Sequence, residues 1–206
     1  LDATVGSGGH SAEVCRRFKG VVRIVGLDAD AERVLQAKKV LSLNECPAEI
    51  VNKNFRNLTD VLEKLRISKV QAILFDLGLN SEQLEKSGRG FSFKLDEPLL
   101  MTFDKAQGLT AHVVVNTYSE SELADIIFNF GEERQARNIA RAIVHERKPK
   151  PIGTTFELVG AIQKGYRGKY PKSIHFATRT FQALRIAVND ELGALTEALA
   201  KGFASL

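Results

Sequence analysis

The sequence predicts an α/β fold: a Rossmann-like parallel sheet, incomplete within these residues, with an all-helical insertion. Three observations lead there. Short β-branched runs alternate with helix-period segments as far as Asp76, the pattern of βαβ units joined by right-handed crossovers. A glycine-rich turn lies at the first strand-to-helix junction. From Thr110 onward the periodicity is helical.

The elements follow in order. Leu1 to Thr4 reads as the end of a strand entering the glycine turn, with Leu1 in a central strand of the sheet. That opening suggests a fragment whose N-terminus lies upstream. His10 to Phe18 is the first helix. Val21 to Leu27 is a β-branched run closing at Asp28 and predicts a buried strand. Ala31 to Leu43 places Val34, Leu35, Ala37 and Leu41 at a helical period. Ala48 to Val51 is a third strand. Leu58, Val61, Leu62 and Leu65 form an apolar stripe, so Asn57 to Arg66 is an amphipathic helix. Val70 to Phe75 is the fourth strand and ends at Asp76.

The segment Gly88 to Phe93 is loop-like. Ser119 to Glu122 forms a capping box that opens a helix closed by Gly131. A helix over Glu132 to Arg147 is stopped by Pro149 and Pro151. Thr154 to Glu157 is a second capping box, for a helix to about Lys164. Ile174 to Val188 and Asp190 to Lys201 are the last two helices. Four strands leave a doubly wound sheet unfinished, so an apolar edge should be exposed.

Composition bounds the function classes. The chain has 206 residues, of which 44% are hydrophobic and 26% charged, as expected for a globular protein. No apolar run approaches the length of a membrane helix. Cys15 and Cys46 sit in neither a CxxC nor a Cys/His cluster, which predicts reduced thiols and a cytoplasmic location. The four histidines show no metal-ligand spacing, so no metal is expected. The net charge is +4, but Arg134 to Arg185 holds 12 Lys/Arg against two Glu. Charge runs usually just solvate a helix face. A local excess of +10 favours a polyanion-binding surface instead.

Candidate site residues gather at strand ends. In Asp2-Ala3-Thr4-Val5-Gly6-Ser7-Gly8-Gly9-His10 the glycines permit a tight turn and close approach of a ligand to the backbone. A turn without any ligand would use the same glycines. Asp28 closes the second strand about 20 residues later, where a carboxylate can accept from ribose hydroxyls. Together they predict an adenosine-bearing cofactor. The third glycine of a dinucleotide fingerprint is missing after Gly6 and Gly8. An acid just before the loop, here Asp2, is instead typical of S-adenosylmethionine enzymes, where it faces the cofactor's amino-acid end. Asp76 ends the fourth strand beside Gly78, and Asp2, Asp28 and Asp76 would share one sheet edge. Phe91 and Phe93 could stack on a base. Phe181, at helical spacing, is expected in the core.

These residues, taken with others, resemble a family. Asp2 to Ser11 resembles the opening motif of the MraW/RsmH family, bacterial small-subunit rRNA cytosine-N4 methyltransferases. Asp76-Leu77-Gly78-Leu79-Asn80-Ser81-Glu82-Gln83-Leu84 and Arg89-Gly90-Phe91-Ser92-Phe93 are similar to two further blocks. So are Gly131 to Arg134 with Ile139 to Ile143, and Ala177 to Ile186 with Asn189 and Glu191. Departures are Asn80 for a usual Ser, Phe176 for a usual Pro, and Leu100 and Thr102 within Asp96 to Thr102. The family's closing block is absent.

The resemblance implies a class I S-adenosylmethionine-dependent methyltransferase that methylates the N4 amine of a decoding-site cytidine in 16S rRNA. By motif position, Gly8, Gly9, His10, Asp28, Phe55, Asp76 and Gln83 would bind S-adenosyl-L-methionine. Asp76 and Asn80 would serve the reaction. The expected organisation is a cofactor-binding core over 1–108, a helical RNA-recognition insertion over 109–188, and a helix returning to the core over 189–206. The expected partner is 16S rRNA or the small ribosomal subunit, with a homodimer admitted and no membrane. The rival readings are an NAD-dependent oxidoreductase and a non-catalytic RNA-binding protein.

Overall fold

The computed structural model describes residues 1–79, 84, 87–168 and 174–206. The chain divides into two compact units. The first holds Leu1–Gly78, Phe103–Lys105 and Glu191–Leu206; the second holds Leu79–Thr102 and Ala106–Asp190.

In the first unit, α1 (Gly9–Arg17), β1 (Ile24–Asp28), α2 (Ala31–Leu43), β2 (Ala48–Asn52) and α3 (Leu58–Lys64) alternate as the periodicity predicts. β1 and β2 pair in parallel, with Ile24 opposite Ala48 and Asp28 opposite Asn52. Asp2 bridges in parallel to both Gly26 and Leu74. Leu1 therefore lies in a central extended segment, flanked by β1 and by residues 72–76. The fourth strand expected over Val70 to Phe75 is reduced to a single bridge at Leu74, held to the first segment by bonds between Ala3 N and Leu74 O and between Leu74 N and Leu1 O, each 2.9 Å. Leu74 and Leu77 are exposed.

Side-chain alternation along β1 sends residues to two layers. Ile24 joins Val5, Cys15, Val34, Ala37, Leu41 and Ile50 in a core against α1 and α2. Val25 and Leu27 join Leu58, Val61, Leu62, Val70 and Ala198 in another. The second core includes α3 and the final helix of the chain, Glu191–Ser205. The sheet is thus covered on both faces, which continuous apolar strands require.

Two expectations for this unit are corrected. The strand over Val21 to Leu27 begins only at Ile24, and Val21 is 83% exposed. The turn that follows α1 takes up the first residues of the run. Cys15 and Cys46 are not free thiols: they are joined as a disulfide, with Cα atoms 5.7 Å apart. Both line the same apolar layer, although 31 residues separate them in sequence.

The second unit contains α4 (Ala111–Thr117), α5 (Glu120–Gly131), α6 (Ala136–Glu146), α7 (Thr155–Gly165) and α8 (Thr178–Asn189). The final helix of the first unit is α9 (Glu191–Ser205). α4 has no counterpart among the sequence-predicted elements. Its Val113-Val114-Val115 run has strand propensity, yet Thr110 accepts from the amide of Val113 and caps a helix. α6 starts at Ala136 rather than Glu132, because Glu132 takes φ 52° and closes α5. α8 starts at Thr178 rather than Ile174.

α5 packs against α6 and α8, and α6 packs against α7. Fully buried Leu123, Ile127, Ile139, Ile143, Leu158, Ile162 and Leu184 form the interior. At Gly131 a Cβ would strike the carbonyl of Arg179 on α8, so the close crossing of these helices requires glycine there.

Both capping boxes are present. Ser119 accepts from the Glu122 amide at 3.2 Å, and Glu122 accepts from the Ser119 amide at 2.7 Å. Thr154 and Glu157 repeat the arrangement on α7. Ser119→Ala should destabilise the fold by about 1 kcal/mol, read as a lower denaturation midpoint. An unchanged midpoint would show that the cap contributes nothing.

Candidate active site

Three chain segments reach the carboxyl end of the sheet in the first unit. Residues 5–10 turn from the first segment into α1. Gly6 and Gly8 take φ 53° and 89°, left-handed values that suit glycine. Gly8 is the N-cap of α1 and, being glycine, brings no side chain to cap it. The Gly8 N–H donates to Val5 O at 2.8 Å. A Cβ on Gly8 would lie 3.2 Å from Ala37 Cα, so this glycine lets the loop press onto α2. Gly9 is exposed, and among the described residues a Cβ there would meet no atom within 4 Å.

Asp28 at the end of β1 holds this loop in place. Its Oδ2 accepts from Gly6 N–H at 2.9 Å and its Oδ1 from Asp30 N–H at 2.8 Å. Asn52 donates its side-chain amide to the carbonyls of Asp28 and Ala29, at 2.9 and 3.0 Å. A carboxylate offers about four acceptor positions, so two remain for ligand hydroxyls. Burial raises the Asp28 carboxyl above its ordinary 3.8, against the opposing pull of the Asp30 and Gly6 amides.

Asp76 lies on the far side of the loop. Its amide donates to Thr4 Oγ1 at 2.7 Å, which ties the fourth sheet segment to the first. Its Oδ2 is 3.6 Å from His10 Nδ1, and both side chains are exposed. Phe55 opens a 3-10 turn after β2. Its ring meets Phe75 edge-on at a centroid distance of 5.8 Å, one residue before Asp76.

The structure thus gathers Gly8, Gly9, His10, Asp28 and Asp76 around one loop, with Phe55 joined through Phe75. Gln83 and Asn80 lie outside the described residues. Asp2 is 4% exposed, accepting from Ser11 Oγ at 2.6 Å and from the Thr4 amide at 3.3 Å. Its carboxylate ties the first segment to the start of α1. Thr4, Ser11 and Asn52 escaped sequence reasoning, because a lone hydroxyl or amide carries no spacing signal. Among the described residues no group of three His, Cys, Asp or Glu could hold a metal ion.

A family model described as the MraW methylase family matches residues 1–206. The chain belongs to the MraW methylase family. Relatives named ribosomal RNA small subunit methyltransferase H are similar over nearly all of it. That from Clostridium botulinum (strain Kyoto / Type A2) is 43% identical over 199 residues, covering 97% of this chain and 64% of the relative. That from Clostridioides difficile (strain 630) is 43% identical over 202 residues, covering 96% and 64%. The Geotalea uraniireducens protein is 42% identical over 203 residues, covering 98% and 65%. The chain spans just under two thirds of the length of these curated relatives. For an MraW methylase family member, the small parallel sheet with helices on both faces is consistent with a class I methyltransferase fold. Among the described residues, no helix is long and apolar enough to cross a membrane.

Proposed function

We propose that this chain is part of an rRNA methyltransferase that transfers a methyl group from S-adenosyl-L-methionine to the N4 amine of a decoding-site cytidine in 16S rRNA. The observation that carries the reading is the Asp28-held glycine loop, in which Gly8 brings no side chain to the start of α1 and Gly9 is exposed. Bound there, S-adenosylmethionine supplies an electrophilic methyl group. Its donor set fits: the α1 amides suit a carboxylate, and Asp28 has acceptor capacity for ribose hydroxyls. His10 is in the first turn of α1, and it, Phe55 and Gln83 complete the assigned cofactor pocket.

The chemical task left to the protein is positioning. The lone pair of a cytosine N4 amine is delocalised into the ring, so the amine is a poor nucleophile. Asp76 and Asn80 are assigned to accept from its N–H groups. That hydrogen bonding favours a pyramidal nitrogen aligned with the methyl carbon and stabilises the charge that develops on attack. The helical insertion assigned to RNA recognition, 109–188, carries the basic segment from Arg134 to Arg185 and falls within the second unit. A cytoplasmic location, where small ribosomal subunits assemble, goes with this reading.

The test is titration calorimetry with S-adenosylmethionine, followed by methyl transfer to unmethylated small subunits and nucleoside analysis of the product. N4-methylcytidine is the expected product. Binding of a nicotinamide cofactor in place of S-adenosylmethionine would overturn the assignment. So would a methylated nucleoside of another class.

A further inference from the structure

The 3-10 turn Phe55–Asn57 follows β2 at the carboxyl end of the sheet, the edge where open α/β sheets bind ligands. Its start is fixed locally. The Asn54 side chain accepts from the Arg56 amide at 3.0 Å, and the Asn57 N–H donates to Asn54 O at 3.0 Å. Two further contacts come from α9, which belongs to the same unit. Lys201 Nζ donates to the Arg56 carbonyl at 2.9 Å, across 145 residues of sequence. The Arg56 guanidinium lies 3.6 Å from the Glu197 carboxylate. Glu197 and Lys201 are four residues apart on α9 and so share one face.

α9 is anchored in turn on the segment that leads to Asp76. Lys69 Nζ donates to the carbonyls of Ala204 and Leu206, at 3.2 and 2.8 Å, and the Val70 N–H donates to Ser205 O at 2.8 Å. A Cβ on Gly202 would lie 3.2 Å from Ile73 Cδ1, so the helix runs close over this segment. One helix therefore touches both stretches whose ends carry Phe55 and Asp76, and the edge-on contact of Phe55 with Phe75 joins those ends. Apolar burial around Ala198 holds α9 to the sheet, but burial has no direction. The bond from an ammonium to one main-chain carbonyl is directional, and it sets where the turn stands.

We propose that Lys201 and Glu197 are positioning residues for S-adenosylmethionine: through Arg56 they set the Phe55 ring against the cofactor's planar adenine. The ring is half-buried, so part of it packs within the unit and part is open to a ligand. A gap of ~0.5–1 Å forfeits about a quarter to a half of a dispersion contact, so a small shift of the turn is felt in affinity. This inference rests on the cofactor reading above and adds what holds Phe55 in place.

The test is titration calorimetry with S-adenosylmethionine on the full chain. Lys201→Met keeps the apolar stem and removes the donor. It should raise the dissociation constant about fivefold, the worth of one hydrogen bond. In a Phe55→Leu background the same change should add no further loss, because the two residues act through one contact. A merely structural lysine would lower the denaturation midpoint and leave affinity alone, or would cost the same affinity with and without the Phe55 ring. Either result overturns the proposal. The Glu197 side chain is 50% exposed, so Glu197→Gln removes the ion pair without touching the core. It should raise the dissociation constant about twofold, in keeping with an exposed pair, and it carries the same cycle if Lys201→Met does not fold. If folded variants bind as the parent does, the positioning role falls while the cofactor reading stands. If the parent itself binds no S-adenosylmethionine, the cofactor reading falls.

Discussion

Asp28→Ala should weaken S-adenosylmethionine binding by about 1–3 kcal/mol, the cost of leaving buried donors without an acceptor. That is roughly 5- to 150-fold in dissociation constant. Two losses combine. The ligand's ribose hydroxyls lose their acceptor, and the Gly6 and Asp30 amides lose the carboxylate that shapes the loop. Asp28→Asn keeps one acceptor oxygen and should fall between. Calorimetry on a variant with an unchanged far-ultraviolet spectrum reads the effect, and parental affinity would remove Asp28 from the site.

The same residue predicts two pH effects of opposite sign. Burial raises its carboxyl above the ordinary 3.8, so the fold without ligand favours the protonated form. Its contribution to fold stability is therefore present below 3.8 and lost as pH rises through the raised value. Ligand binding runs the other way, because hydroxyl donors need the ionised carboxylate. Affinity should fall on acidification through the raised value, starting above the pH at which an exposed aspartate would titrate. A purely structural Asp28 would show the stability effect without the affinity effect.

How much of this was legible from sequence depends on the kind of signal. Asp28 and Asp76 were visible because each ends an apolar run, and run ends fall at the sheet edge whatever the packing. The capping boxes at Ser119 and Thr154 were visible because they are local, with donor and acceptor three residues apart. The disulfide between Cys15 and Cys46 was not, since it depends on α1 and the start of β2 meeting the same apolar layer. The burial of Asp2 was hidden for the same reason: its partner is one hydroxyl on a helix nine residues on. At α4, local signals conflicted, and the Thr110 cap prevailed over the β-branched run.

The basic segment from Arg134 to Arg185 is not uniformly available. Arg141 pairs with Glu120 at 3.3 Å, Lys150 pairs with Glu157 at 2.7 Å, and Lys164 pairs with Glu146. Such exposed pairs contribute little to stability, but each mutes one cation toward a phosphate. Lys169 and Lys172 lie outside the described residues. Arg137 and Arg141 occupy one exposed face of α6, four residues apart, so they are the clearest test pair. Arg141 is changed to glutamine so that no new acid meets Glu120. Arg137→Glu with Arg141→Gln should lower affinity for small-subunit rRNA tenfold or more at low salt. The log–log salt slope should flatten by about 0.7–0.9 for every phosphate no longer neutralised, because fewer counterions are released on binding. Affinity for S-adenosylmethionine should not change, since α6 belongs to the second unit and the Asp28 loop to the first. A helix face that merely solvates the fold would give an unchanged salt slope, and that result would remove α6 from the RNA-binding surface.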